Sequence, residues 1–171
     1  RVKQLENENT LKDENIAALK HSIQQSQTPI VLTEGKTDAA LLKLAIKKLN
    51  LSGYENWEIK PIRSDKTVNN DALIKFLSEM CDNMSSQRLV IGMFDRDAKI
   101  EVKIGNESCD VRNKEFVELA KNIYAFAIPV PHNRAEVDQI SIEHYFTDAE
   151  IKTEKGGKRL YLGNEFYCTG V

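Results

Sequence analysis

The chain predicts an α/β fold: a mainly parallel, Rossmann-like sheet flanked by helices, with an N-terminal helical extension. Three observations carry that expectation. From Pro29 onward short β-rich runs alternate with helical stretches, the pattern of a parallel sheet covered by helices. Two of the runs, "IVLTEG" and "RLVIGMFD", are strongly apolar, as strands buried inside a sheet are. Residues 1–27 differ from all of this, being polar and free of Gly and Pro.

In that first segment Val2, Leu5, Ile16, Leu19 and Ile23 mark an apolar stripe, with Asn9 and Lys12 at intervening positions of a seven-residue repeat. An imperfect coiled-coil helix follows from this, acting either as an oligomerisation arm or as a connector packed on its own domain. Pro29 ends it, so the expected division is 1–27 and 28–171. "PIVLTEG" reads as a buried strand. "DAALLKLAIKKLNL" follows as a helix with Leu41, Leu42, Leu44, Ala45 and Leu49 inward and Lys43, Lys47 and Lys48 outward. "WEIKPI" is a second strand, "NNDALIKFLSEMCDNM" a second helix and "RLVIGMFD" a third strand. "KIEVKI" is expected at the sheet margin, "NKEFVELAKN" as a helix and "IYAFAIPV" as a further strand. "SIEHYFTDAEI" fits a helical turn or an extended segment, and "TEKGGKRLYLG" a loop or hairpin turn.

Composition bounds the function more loosely. A length of 171 residues with 41% hydrophobic residues suffices for one domain with a real core. A formal charge of −2 gives no global basic footprint, so nucleic-acid contact would need a local patch or bound metal. Cys81, Cys109 and Cys168 are far apart without CxxC spacing, which fits a reducing cytoplasm. No run approaches the roughly 18 apolar residues of a membrane span, and no leader opens the chain. Arg1 at the start and structured-looking sequence at the end lead us to expect a domain cut from a longer protein.

The chemistry is expected in acids at strand ends. The first strand runs into Glu34 and the third into Asp95 and Asp97 of "FDRD". Ligands of open α/β sheets bind outside the carboxyl ends of strands, so these acids converge if the strands are neighbours. Several carboxylates at one point repel unless a cation joins them, and hard oxygen donors suit Mg²⁺ or Mn²⁺ rather than zinc. Asp95 and Asp97, two apart on an extended segment, face one side while Arg96 faces the other. Asp38, four residues after Glu34, is an N-cap by local rules, and Gly35 is a hinge out of the sheet. His132 and His144 have neither a neighbouring Cys nor HxxxH spacing, which argues against zinc.

An apolar strand ending in "TEGKTD", then helix, strand, helix and an apolar strand ending in "FDRD", resembles the TOPRIM domain over roughly residues 29–145. This metal-binding fold is shared by topoisomerases, bacterial primases, ribosomal-RNA maturases, recombination proteins and the overcoming-lysogenization-defect (OLD) nucleases. Asp38 and the Ser141-x-Glu143 of "ISIEHYF" make the sequence most similar to the OLD type. That resemblance implies one metal on Glu34, Asp95 and Asp97 and a second held with Asp38, Ser141 and Glu143. Glu136 and Asp138 are competing late acids. It also implies a downstream lysine, for which Lys158 in "GGKRL" is the first candidate, then Lys155 and Lys152, unless that lysine lies beyond residue 171. The loop "RSDKTVNN" departs from the glycine-rich pattern found there in many OLD nucleases.

The activity so implied is two-metal phosphodiester cleavage by a DNA endonuclease. Lys36, Arg63, Lys66 and Arg96 are expected to contact the DNA backbone. The resemblance further implies an ATPase domain in the same full-length protein and a role in phage defence, although no GxxxxGK[ST] occurs here. Two alternatives stand beside this. One is a topoisomerase- or primase-type enzyme; a topoisomerase would need a nucleophilic tyrosine on a separate domain, and none of Tyr54, Tyr124, Tyr145, Tyr161 and Tyr167 has such a setting. A non-catalytic assembly module would use residues 1–27 to form a homo-oligomer.

Overall fold

Burial on two faces explains the architecture. A computed structural model describes residues 14–23, 26–62, 70–83, 86–96, 99–114 and 116–160. Residues 14–23 are helical (α1) and lead to strand β1 (Ile30–Thr33), helix α2 (Lys36–Lys48), strand β2 (Glu58–Pro61), helix α3 (Asn70–Asn83) and strand β3 (Val90–Phe94). Strands β4 (Glu101–Ile104) and β5 (Glu107–Asp110), the short helix α4 (Val111–Lys114) and strands β6 (Phe116–Ala120) and β7 (Ile123–Ala127) follow. Two 3₁₀ turns, His132–Arg134 and Ile142–Tyr145, precede helix α5 (Asp148–Lys152).

Among the described residues five strands form one sheet in the order β2-β1-β3-β7-β6. The first four are parallel and β6 is antiparallel to β7. The fold is thus α/β with a mainly parallel, Rossmann-like sheet. Side chains alternate between two cores. Ile30, Leu32, Val90, Phe94, Ile123 and Ala125 face α3 through Leu73, Phe76, Leu77 and Met80. Val31, Ile59 and Met93 face α2 through Ala39, Leu42 and Ile46. The inward face of α2 is therefore Ala39-Leu42-Ile46, set by i, i+3, i+7 spacing, and the expected inward Leu44 and Leu49 are 50% and 67% exposed.

Helix α1 packs Ile16, Leu19 and Ile23 on the α3-side core. It is anchored from the sheet by fully buried Arg88, whose Nη1 donates to Ser22 O at 3.4 Å and whose Nη2 lies 3.3 Å from Glu58 Oε1. No described helix is long and apolar enough to cross a membrane.

Two elements differ from expectation. "NKEFVELAKN" is not a helix over its length: Val117 and Leu119 point into the core, Glu118 points out, and the segment pairs antiparallel with β7. Asn122, at φ 63, makes the tight turn that lets β6 return as β7. "KIEVKI" supplies β4, which among the described residues pairs only with β5, in a separate hairpin seated on α3 rather than on the sheet margin. The segment 155–158 is a hairpin turn, with Gly156 and Gly157 at positive φ.

Candidate functional site

The strand order places a topological switch point between β1 and β3. From β1 the chain leaves through α2 on one face towards β2, and it returns through α3 on the other face to β3. Helices diverging in this way open a crevice at the carboxyl ends of the two strands. Glu34 follows β1 there and Asp95 follows β3.

The two ends are tied together. Parallel register sets Thr33 beside Met93, so Glu34 reaches the next turn of chain and its Oε1 accepts the Asp95 N–H at 3.0 Å. Glu34 is 9% exposed, although a carboxylate is seldom so buried without a specific reason. Thr33, itself fully buried, donates Oγ1 to Gly35 O at 2.8 Å and fixes the bend into α2. Local rules at a strand-end threonine already suggest such a turn.

Asp38 does the work of a helix cap. Gly35 is the N-cap residue and Asp38 Oδ2 accepts its N–H at 2.8 Å. Burial pushes the Asp38 carboxyl above the ordinary aspartate range, the Gly35 bond pulls it back, and the negative charge of Glu143 adds to the rise. One oxygen serves the cap while the group as a whole lies within electrostatic reach of Glu143.

Glu143 arrives from far along the chain by an identifiable route. Past β7, Ile128 N–H continues the pairing by donating to Phe94 O at 3.0 Å. The chain then loops back until Ile140 bridges Arg96 antiparallel, through N–H···O bonds of 2.6 and 3.2 Å. Ser141 follows at once as N-cap of the Ile142–Tyr145 turn. Its N–H donates to His144 Nδ1 at 2.9 Å and its Oγ lies 3.0 Å from the same nitrogen. The imidazole therefore takes part in capping this turn.

Arg134 holds this return segment. Its Nε donates to His144 O at 3.4 Å, and its Nη2 donates to Phe146 O at 3.1 Å and to Asp148 Oδ1 at 2.5 Å. Nothing local in "PHNRAE" announces this, because each partner is ten or more residues away. Arg134→Ala is expected to lower stability by about 1–2 kcal/mol, chiefly through two carbonyls losing their donor, since the Asp148 end of the ion pair is largely exposed. Hydrogen exchange should speed up at the amides of His144 and Phe146 while β1 and β3 stay protected. Unchanged exchange at those amides would contradict the clamp.

A second measurement probes the pairing of acids directly. In metal-free protein, Glu143→Gln is expected to lower the Asp38 pKa in a carboxyl NMR titration. The folded-state value lies above the unfolded one, so ionised Asp38 opposes folding. Stability should fall as pH rises from the unfolded value through the folded one, and the variant should narrow that window. An Asp38 titration indifferent to Glu143 would separate the two residues.

The remaining expected residues are placed as follows. Lys36 opens α2 and is exposed, and Arg96 sits in the bridge to Ile140. Lys158 is exposed on the 155–158 turn, and its side chain has no hydrogen-bond or ion-pair partner among the described residues. Lys155 is exposed on the same turn and Lys152 at the end of α5. Asp138 pairs with Arg112 at 2.6 Å, and Glu136 is exposed. Asp97, Arg63 and Lys66 lie outside the described residues.

Glu34 thus reaches the backbone N–H of Asp95, and Asp38 lies within electrostatic reach of Glu143, at one end of the sheet. Such oxygen-only donors fit a hard divalent cation in chemistry. Among the described residues no group of three or more His, Cys, Asp or Glu side chains is gathered closely enough to hold a metal ion. Tyr145, which lies within electrostatic reach of Arg96, donates its Oη–H to Pro129 O at 2.6 Å. Burial raises its pKa and the Arg96 charge only partly offsets this, the opposite of nucleophile activation. Comparison with protein-family models, curated proteins and solved structures finds no match to this chain.

Proposed function

We propose that this chain is the TOPRIM-type catalytic domain of an OLD-like, divalent-metal-dependent DNA endonuclease. One observation carries the reading: Glu34 and Asp95, on adjacent parallel strands, meet across the switch point through the Glu34 Oε1 to Asp95 N–H bond. A carboxylate buried at the ligand-binding end of an α/β sheet, tied to the backbone that delivers a second acid, is costly, and a cation held there offsets that cost.

In this reading Glu34 and Asp95, with Asp97, hold one ion, and Asp38, Ser141 and Glu143 help to hold another; Mg²⁺ or Mn²⁺ suits both. Bound there, such ions polarise the scissile phosphate and lower the pKa of an attacking water. The chain's own part is positional. Thr33 and the Gly35 cap fix Glu34 and Asp38 on one rigid bend, and the Arg96–Ile140 bridge with the Arg134 clamp brings Glu143 to them. Lys36 and Arg96, with Arg63 and Lys66, neutralise backbone phosphates near the acids. Lys158 is the candidate cation for the leaving oxygen. An ATPase domain in the same full-length protein and a role in phage defence belong to this proposal.

The test is supercoiled plasmid with Mg²⁺ or Mn²⁺, comparing the chain with Glu34→Gln and Asp95→Asn. Cleavage by the parent and not by the folded variants supports the reading; equal cleavage by all three overturns it.

A further inference from the structure

The proposed site leaves the outer flank of α2 unused. Lys36, Lys43 and Lys47 are spaced i, i+7, i+11, which returns to one side of a helix, and all three are exposed. They span about 16 Å at 1.5 Å per residue. Among the described residues none of them forms an ion pair, whereas Lys20, Lys60, Lys75 and Lys99 all do. The helix dipole accounts for Lys47 in the last turn. It does not account for Lys43 in mid-helix, and it disfavours Lys36 at the positive N-terminal end.

The stripe starts beside Glu34 and ends at a cleft of about 420 Å³ between the end of α2 and the start of β2. Lys43 and Lys47 line it together with Asn50, Tyr54 and Trp57 and with the aliphatic side chains of Ile46, Leu51 and Ile59. Tyr54 is 45% exposed, and its ring stands 5.0 Å from the Trp57 ring at 58°. Glu55 also lines the cleft, with one carboxylate oxygen accepting the Gly53 N–H at 2.7 Å. Two cations beside an exposed aromatic ring suit a nucleotide unit whose phosphate meets the lysines while its base stacks. A duplex keeps its bases inside and cannot fill such a recess.

We propose that the Lys36-Lys43-Lys47 flank of α2 and the Tyr54 cleft bind single-stranded nucleic acid leading away from the acidic site. This rests on the nuclease reading for its direction, not for its test. Binding of a fluorescent oligodeoxythymidylate to the 171-residue chain is measured without divalent metal across a salt series, so cleavage plays no part. Lys43→Gln/Lys47→Gln is expected to reduce the slope of log K against log salt by about 1.4. Tyr54→Ala should weaken binding about tenfold with the slope unchanged. The same variants should leave binding of a duplex of equal length within twofold. Circular dichroism melts establish that each variant folds, and Lys43→Arg/Lys47→Arg, which keeps both charges, should restore the parent slope.

Parent-like binding by the folded Gln and Ala variants overturns the proposal, as does equal loss on single strand and duplex. Should Glu34→Gln bind like the parent while no protein cleaves, the nuclease reading fails and the strand-binding surface stands.

Discussion

Glu34→Gln is expected to lower metal-dependent DNA cleavage by on the order of 10²-fold or more while changing stability by less than about 1 kcal/mol. The asymmetry follows from what the side chain does at each level. Structurally, Glu34 offers one oxygen to the Asp95 N–H, and a glutamine oxygen of the same reach can accept that bond. The neutral acceptor is weaker than a carboxylate, but it also costs less to bury in a residue only 9% exposed. Chemically, the substitution removes a full negative charge from the point where a cation is proposed to bind, and an amide is a poor substitute for that charge. Thermal melts and plasmid nicking on the same samples check both halves. A variant that melts like the parent and still nicks at the parent rate would sink the nuclease assignment. Glu34→Ala answers a different question, since it also strips the acceptor from the Asp95 N–H.

The legible parts of this molecule are those whose signal is local or doubly buried. Strands β1 and β3 stand out because both their faces are covered, leaving apolar runs that end abruptly in acids. Their adjacency is not legible in this way, because alternating helices and strands fit a 1-2-3 order as well, and only the crossover through α3 to the far side of β1 sets β3 beside it. Strand β6 was hidden because Phe116, Val117, Leu119 and Ala120 satisfy helical spacing as well as alternation over so short a run. Only its pairing with β7 separates the two, and pairing is non-local. The approach of Glu143 to Asp38 is likewise set by the Arg96–Ile140 bridge and the Arg134 clamp, whose partners are distant in sequence. Local rules read Asp38 as the N-cap itself; the structure gives that position to Gly35 and sets Asp38 at N3, where its carboxylate accepts the Gly35 N–H.

Gly92→Ala is expected to destabilise the fold by about 1–3 kcal/mol through overpacking. Gly92 lies in the middle of β3, on the face turned to α3, where a Cβ would stand 2.5 Å from Leu77 Cδ1 and 3.4 Å from both Leu77 Cγ and Phe94 Cε2. Relief by rotating Leu77 needs room that a residue with 0% exposure in a filled core does not have, so α3 or the strand must shift. Leu77→Ala alone should cost about 2–5 kcal/mol by leaving a cavity. Combined, the new methyl enters the space vacated by leucine, so the double variant should be at least about 1 kcal/mol more stable than the sum of the single effects predicts. Urea unfolding of the four proteins measures this coupling, and simple additivity would show that Gly92 is not kept small by Leu77. The same strand delivers Asp95 three residues later, and displacement of a reacting group by about 1 Å can cost about 10²-fold in rate. Cleavage by Gly92→Ala, assayed where the variant is fully folded, should therefore fall more than its stability loss explains. Leu77→Ala added to it should recover part of that activity, because relaxing α3 lets β3 return Asp95 to Glu34.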